Sequence, residues 1–358
     1  MKKTDQKVFV GMSGGVDSSV AAALLKAEGY QVTGIHLRCY NVDGCAETDA
    51  EDARRAAEAL KIPFYVLDFE KEYKAKVVEY MVAGYKSGET PNPDVMCNKE
   101  IKFGLFYQAA LELGADFIAT GHYVKLIKRK PARLFTARDK NKDQSYFLWT
   151  LTQEQLQHCL FPIGEHVKPE VRRLAKKFGL PNAAKKDSQG ICFLGRVSLP
   201  EFLGRYIKPR AGSILSKNGE VLGTHHGVQF YTIGQRQGLG VGGTSKPLYV
   251  AKKDIKKNTL TVVEGKDHPE LFQKEVILTD LNFISSPTSF SRTSRPKASI
   301  SVMARLRYRQ PLAKAILRMT GRNSAKLIFE SPQKFVAPRQ SADFYSKSGE
   351  MLGGGVII

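Results

Sequence analysis

Near its start the chain reads Gly11-Met12-Ser13-Gly14-Gly15-Val16-Asp17-Ser18-Ser19, between a strand-like run (7–13) and a helix-like run (18–28) that Gly29 closes. These residue types suit phosphate. Adjacent glycines let a backbone turn tightly and come close to a ligand. The N–H groups of such a turn and of the following helix converge where the helix dipole favours an anion. Ser13, Ser18 and Ser19 add hydroxyl donors. Asp17 offers a carboxylate, suited to a magnesium ion held on a pyrophosphate. The pattern Gly-x-x-x-x-Gly-Lys-[Ser/Thr] is absent, and with it the lysine that sits on a terminal phosphate.

Two further strings carry thiols. In Thr90-Pro91-Asn92-Pro93-Asp94-Val95-Met96-Cys97-Asn98-Lys99-Glu100, the prolines predict that no helix begins before about residue 98. Cys97 would then lie just before a helix N-terminus, where the dipole raises the thiolate fraction and Lys99 and Lys102 add to it. Asp94, three residues away, could relay a proton. A buried structural cysteine is the plainer alternative for the same residue. In the basic segment Lys185-Lys186-Asp187-Ser188-Gln189-Gly190-Ile191-Cys192, a thiolate at Cys192 would gain from Lys185 and Lys186 if they fold near it. Five cysteines, widely spaced and without Cys-x-x-Cys, do not read as a disulfide framework or a zinc site. Cys39, Cys45 and Cys159 receive no role, and no resident metal is expected on protein ligands alone.

The elements around these strings alternate. Strands are expected at 31–37, 63–69 and 115–120, and helices at 48–61, 70–85 and 100–113. Such alternation predicts an α/β domain with a parallel sheet. After about residue 200 the pattern turns to glycines, Lys/Asp-rich turns and short alternating runs such as 298–304 and 326–330. A small β-rich central domain and a C-terminal β-barrel follow from that change. The expected boundaries are 1–204, 205–272 and 273–358, with 285–296 a loop inside the last domain. Residues 1–100 hold 13 basic and 16 acidic residues, whereas the remainder carries a net +23 of the chain's +20. That excess predicts a polyanionic partner. No run suits a membrane span or a signal peptide, so a cytoplasmic protein is expected.

The string Ser-Gly-Gly-x-Asp-Ser after an N-terminal strand resembles the PP-loop of the ATP pyrophosphatases, which cleave ATP to AMP and pyrophosphate. Taken with both cysteine strings, the chain resembles the tRNA-specific 2-thiouridylases (the MnmA/TrmU family) nearly end to end. Ala119-Thr120-Gly121-His122-Tyr123, Asn141-Lys142-Asp143-Gln144-Ser145, Tyr231-Thr232-Ile233-Gly234-Gln235-Arg236, Arg307-Tyr308-Arg309-Gln310 and Leu352-Gly353-Gly354-Gly355 carry the likeness. The resemblance implies that ATP adenylates the 2-oxygen of the wobble uridine in tRNAs for Lys, Glu and Gln. Cys192 would carry sulfur as a persulfide, and Cys97 would release it through a transient Cys97–Cys192 disulfide, with Asp94 as acid/base. Nucleotide would lie on Gly11 to Ser18, Leu37 and Gly121, with magnesium. Asn92, Pro93, Asp94, His122, Lys142, Asp143, Gln144, Arg307, Tyr308 and Gln340 would touch tRNA. A sulfur-donor protein (a cysteine desulfurase or relay protein) and a monomeric enzyme are also implied. An alternative within the same reaction holds an iron–sulfur cluster on Asp94, Cys97 and Cys192. Where many relatives read Pro-Gly-Gln-Ser, this chain has Pro338-Arg339-Gln340-Ser341.

Overall fold

Alternate residues of the first strand, β1 (Lys7–Gly11), are fully buried at Val8 and Val10. This strand is the middle of a five-stranded sheet in the order β3-β2-β1-β4-β7, with every pair parallel. Its other members are β2 (Gln31–Arg38), β3 (Phe64–Asp68), β4 (Phe117–Ala119) and β7 (Cys159–Leu160). Between β4 and β7 the chain makes a hairpin of β5 (Val124–Ile127) and β6 (Arg133–Thr136). The computed structural model describes residues 2–40, 45–186, 193–195, 197–285 and 299–358. The expected loop at 285–296 therefore falls almost wholly outside the described residues.

Helix α1 (Val16–Ala27) packs on the sheet through Val20, Ala21, Ala22 and Leu25. Each fully buried Val or Leu in such a core contributes roughly 1.5–3 kcal/mol. The alanines let α1 lie close to α2 (Cys45–Ala59), whose Ala53, Ala56 and Ala57 share the same cluster. The chain leaves β1 toward β2 on one side, while β4 lies on the other. The loops after β1 and β4 thus open a crevice at the carboxyl edge of the sheet, where open α/β folds bind ligands.

The helix expected to begin near residue 98 begins earlier. A turn spans Pro93–Met96, capped by Asn92, whose side chain accepts from the N–H groups of Asp94 and Val95. Proline at the first helical position gives up an N–H that has no intrahelical partner, so it starts a helix instead of blocking one. The chain continues as a π-helical stretch, Cys97–Leu105, and then as Phe106–Glu112. Cys97 is therefore one turn inside the helix, 4% exposed, and not at its positive end.

The central domain is a four-stranded sheet of β8 (Gly212–Leu215), β9 (Val221–His225), β10 (Leu248–Asp254) and β11 (Thr259–Glu264), ordered β10-β11-β8-β9. The last domain is a closed barrel, β12-β15-β14-β13-β16-β17. Its strands are β12 (Phe272–Phe283), β13 (Ser299–Arg305), β14 (Ala313–Met319), β15 (Ser324–Lys334), β16 (Ser341–Tyr345) and β17 (Met351–Ile357). Every residue of β16 is buried, because one face fills the barrel and the other meets the α/β domain. At that seam a Cβ on Gly354 would lie 2.6 Å from Trp149 Cγ, so only glycine fits under the indole. Among the described residues no helix is long and apolar enough to cross a membrane.

Candidate active site

The loop after β1 is held by its own hydroxyls. Ser18 Oγ accepts from Ser13 N–H at 3.1 Å and donates to Gly15 O at 3.2 Å, and Ser19 Oγ donates to Gly15 O at 3.1 Å. Gly14 takes a left-handed φ of +74°, and a Cβ there would meet the Asp49 carbonyl oxygen at 2.3 Å. Gly15 is the N-cap of α1 and brings no capping side chain. The first N–H groups of α1 therefore face the crevice without a side chain across them, which is the geometry of an anion site. Gly121, after β4, lets a second loop close on the first; a Cβ there would lie 2.6 Å from Ser18 N. Met12 and Val16 are buried in the core, so what they offer a ligand is backbone. Leu37 lies near the end of β2, half-buried between two apolar clusters.

Three residues from outside the motif complete this cradle. Lys168 Nζ donates to both carboxylate oxygens of Asp17, at 2.8 and 2.9 Å. Tyr123 donates its hydroxyl to Asp17 Oδ1 at 2.8 Å. Asn182 Nδ2 donates to Gly14 O and to Ser19 Oγ, each at 3.0 Å. The cradle thus has a buried lysine after all, brought from about 150 residues downstream at the start of helix Lys168–Lys177. Lysine at the first turn of an otherwise ordinary amphipathic helix gives no local sign of this role; only the fold shows it.

Cys97 belongs to an apolar cluster with Tyr73, Met81, Ile101, Phe193 and Phe202, against which Leu37 and Cys39 pack. Cys192 lies outside the described residues, but Phe193, its successor in the chain, sits edge-on to Tyr73 with ring centres 5.7 Å apart. Before Cys192, Lys185 is tied to α2: its Nζ donates to Asp49 Oδ1 at 2.8 Å and Asp52 Oδ2 at 2.6 Å. These bonds hold the Lys185 ammonium above its usual pKa despite its partial burial. That cation answers two carboxylates, so it is not spare charge for a thiolate. Asp94 is half-buried on the Asn92-capped turn, and its carbonyl accepts from Asn98 Nδ2 at 3.0 Å. Asn98 Oδ1 is buried with no hydrogen-bond partner among the described residues.

The residues expected at tRNA divide into two groups. Lys142 and Asp94 are partly exposed, and Pro93 is buried. Several others face inward. His122 is 6% exposed, bonded through Nδ1 to Thr120 Oγ1 at 2.7 Å, and burial pushes its imidazole well below the usual pKa. The Asp143 carboxylate accepts from Ala137 N–H and Ser145 Oγ and pairs with Arg305 at 3.0 Å. Gln144 Oε1 accepts from Tyr123 N–H at 3.0 Å. Arg307 donates to the Ile233 carbonyl at 2.7 Å, joining barrel to central domain. Tyr308 packs on Phe147, with ring centres 4.6 Å apart. Gln340 Nε2 donates to Thr90 O at 2.5 Å. Asp143, Arg307, Tyr308 and Gln340 thus tie domains together, whereas His122 and Gln144 bond within the first domain.

Three family models match in succession. They are a tRNA methyl transferase HUP domain over residues 6–196, a tRNA methyl transferase PRC-barrel domain over 200–264, and an aminomethyltransferase beta-barrel domain over 273–357. Among curated proteins, the tRNA-specific 2-thiouridylase MnmA of Bacillus licheniformis is 46% identical over 360 residues, 99% of this chain and 95% of that protein. MnmA 1 of Geobacillus kaustophilus is 47% identical over 365 residues, covering 100% and 96%. MnmA of Nitrosomonas europaea is 46% identical over 362 residues, 98% of each. A solved 4-thiouridine synthetase–RNA complex with bound ATP aligns with 54% of this chain and 46% of its own, at 17% identity and a TM-score of 0.37, a likeness too small to argue from. With matches of this identity along its whole length, the chain belongs to the tRNA-specific 2-thiouridylase family.

Proposed function

We propose that the protein replaces the 2-oxygen of the wobble uridine of tRNA with sulfur, using ATP, in tRNAs for Lys, Glu and Gln. One observation carries this reading beyond family membership. Cys97 and Phe193, the neighbour of Cys192, pack in one cluster that Leu37 joins to the end of the sheet bearing the phosphate loop. Two thiols far apart in sequence and a nucleotide crevice then serve one substrate. The family model's description speaks of methyl transfer, but a loop suited to the phosphates of ATP favours adenylation chemistry.

The nucleotide would lie on Gly11 to Ser18, Leu37 and Gly121. The closeness of the loops supports the fit: a Cβ on Gly14 would meet Asp49 O at 2.3 Å and one on Gly121 would meet Ser18 N at 2.6 Å, so only glycine lets these backbones close around an anion. Lys168 would turn its ammonium to the phosphates, and Asp17 would hold magnesium on them. Adenylation supplies a leaving group, since AMP departs from C2 of the uridine where hydroxide would not. The terminal sulfur of a Cys192 persulfide attacks C2 and AMP leaves. Cys97 thiolate then attacks Cys192 Sγ, the sulfur–sulfur bond breaks toward the base, and 2-thiouridine departs from a Cys97–Cys192 disulfide. A two-electron thiol reductant resets the pair. Asp94 would move the proton at the base, with Asn92, Pro93, His122, Lys142, Asp143, Gln144, Arg307, Tyr308 and Gln340 supporting the RNA directly or through the loops they hold. We take the domains to run 1–204, 205–272 and 273–358, and the enzyme to act as a cytoplasmic monomer fed by a sulfur-donor protein.

The test is mass analysis of nucleosides from unmodified tRNA incubated with the protein, ATP, magnesium and a persulfide donor. The reading predicts 2-thiouridine that requires ATP and both Cys97 and Cys192. Its absence, or its survival in Cys97→Ser and Cys192→Ser, overturns the reading.

A further inference from the structure

The segment that leads into the Cys97 turn is gripped by both smaller domains. From the barrel, Pro338 O accepts from Thr90 N–H at 3.2 Å, Gln340 Nε2 donates to Thr90 O at 2.5 Å, and Arg339 Nε donates to Glu89 Oε2 at 3.0 Å. From the central domain, Thr232 Oγ1 accepts from Thr90 Oγ1 at 3.3 Å. Ile255, at the tip of the β10–β11 hairpin, rests on Gly88, where a Cβ would lie 2.0 Å from Ile255 Cδ1. All three domains therefore meet at Thr90, two residues before the cap Asn92. The neighbouring Tyr146 is held from the barrel too, its hydroxyl donating to Ser341 O at 3.0 Å, and the Asn92 side chain acts on that hydroxyl electrostatically.

The barrel side of this grip is stiff. Arg339 N–H donates to Ile357 O and Ile357 N–H donates to Gln340 O, at 2.8 and 2.9 Å, so residues 339–340 continue the pairing of β17. Arg339 is held at φ +69°, a left-handed conformation that L-residues other than glycine rarely adopt. A non-glycine residue keeps such a conformation when its surroundings over-determine it. Here the guanidinium reaches across the domain boundary to Glu89.

We propose that Arg339 and Gln340 are positioning residues for the sulfur-transfer thiol: the 338–341 strap fixes residues 89–92, and through the Asn92 cap it sets the place and enclosure of Cys97. RNA docked on the two smaller domains then meets a thiol turn already registered to them. The inference rests on Cys97 and the Asn92–Asp94 turn serving the target base.

The test separates a strap from a direct RNA contact. Alkylation of Cys97 by iodoacetamide is followed by peptide mass spectrometry in the RNA-free protein, alongside tRNA affinity and single-turnover thiolation at saturating tRNA. Losing the Gln340 bond in Gln340→Ala is expected to raise Cys97 alkylation about tenfold and to lower the turnover rate about tenfold, with tRNA affinity within about twofold of wild type. Arg339→Gly relieves the backbone while losing the ion pair, so it should shift both rates about threefold with no fall in melting temperature. Wild-type alkylation in both variants overturns the strap. So does weakened tRNA affinity in Gln340→Ala with alkylation unchanged, which makes Gln340 a direct RNA contact. Cys97→Ser that still thiolates would instead overturn the reading of Cys97, whatever the alkylation rates.

Discussion

The phosphate cradle and the thiol turn are built in opposite ways. Residues 11–19 make most of the cradle from their own hydroxyls and backbone, with Tyr123, Lys168 and Asn182 added from the same domain. The Cys97 turn takes its cap from Asn92 but its position from Thr232 in the central domain and from Pro338, Arg339 and Gln340 in the barrel. A site for a small polyanion needs only a tight loop and a helix start. On the proposed reading the thiol turn must meet a large folded RNA, and its ties to both smaller domains would register it to surfaces outside its own domain.

Variants should separate the two. The largest effect is expected at the domain seam, where Arg305 is 6% exposed between Asp143 and Asp343. Removing one partner of a buried ion pair typically costs about 3–5 kcal/mol. Arg305→Leu should lower the melting temperature and the thiolation rate, while any protein that remains folded binds ATP normally. A thermal melt and calorimetric titration would check this. Gly121→Ala should do the reverse, because its new methyl meets Ser18 backbone at 2.6 Å. Overpacking of about 1–3 kcal/mol would weaken ATP binding by roughly 5- to 150-fold and leave tRNA affinity unchanged in a filter-binding assay. Lys168→Met removes a buried cation from the cradle and should weaken ATP binding by about tenfold or more, since hydrogen bonds to charged groups contribute about 1.5–3 kcal/mol.

The last expected effect is a pH dependence at the seam. Burial pushes the Asp343 carboxyl up to about 7, even though Arg305 opposes the shift. Two carboxylates share one guanidinium there, so keeping a proton on one of them is reasonable. Raised above its unfolded value of about 3.9, this group contributes stability that is fully present below that value. The contribution is lost as pH rises through about 7. Urea melts should show stability falling over that window in the wild type and less so in Asp343→Asn. An equal slope in both would place the titration elsewhere.

The sequence made the cradle legible because its parts are contiguous and each residue type has a local reason to be there. The alternation of strands and helices gave the parallel sheet for the same reason. The short strands Phe117–Ala119 and Cys159–Leu160 were harder: the first was read two residues too long at its start, and the second is too brief for any period to show. Proline as a helix starter and proline as a helix breaker look alike in sequence, and only the Asn92 cap separates them at Pro93. Lys168 and Asn182 were missed because their partners are distant in the chain. Asp143, His122 and Gln340 look like polar surface residues in the sequence, whereas the fold turns them toward other protein groups.

The most direct test of this division is Cys97→Ser assayed with tRNA, ATP, magnesium and a persulfide donor, reading pyrophosphate and 2-thiouridine from the same tube. The account predicts tRNA-dependent pyrophosphate release without 2-thiouridine, since the cradle does not depend on the thiol. Formation of 2-thiouridine at the wild-type rate would contradict it.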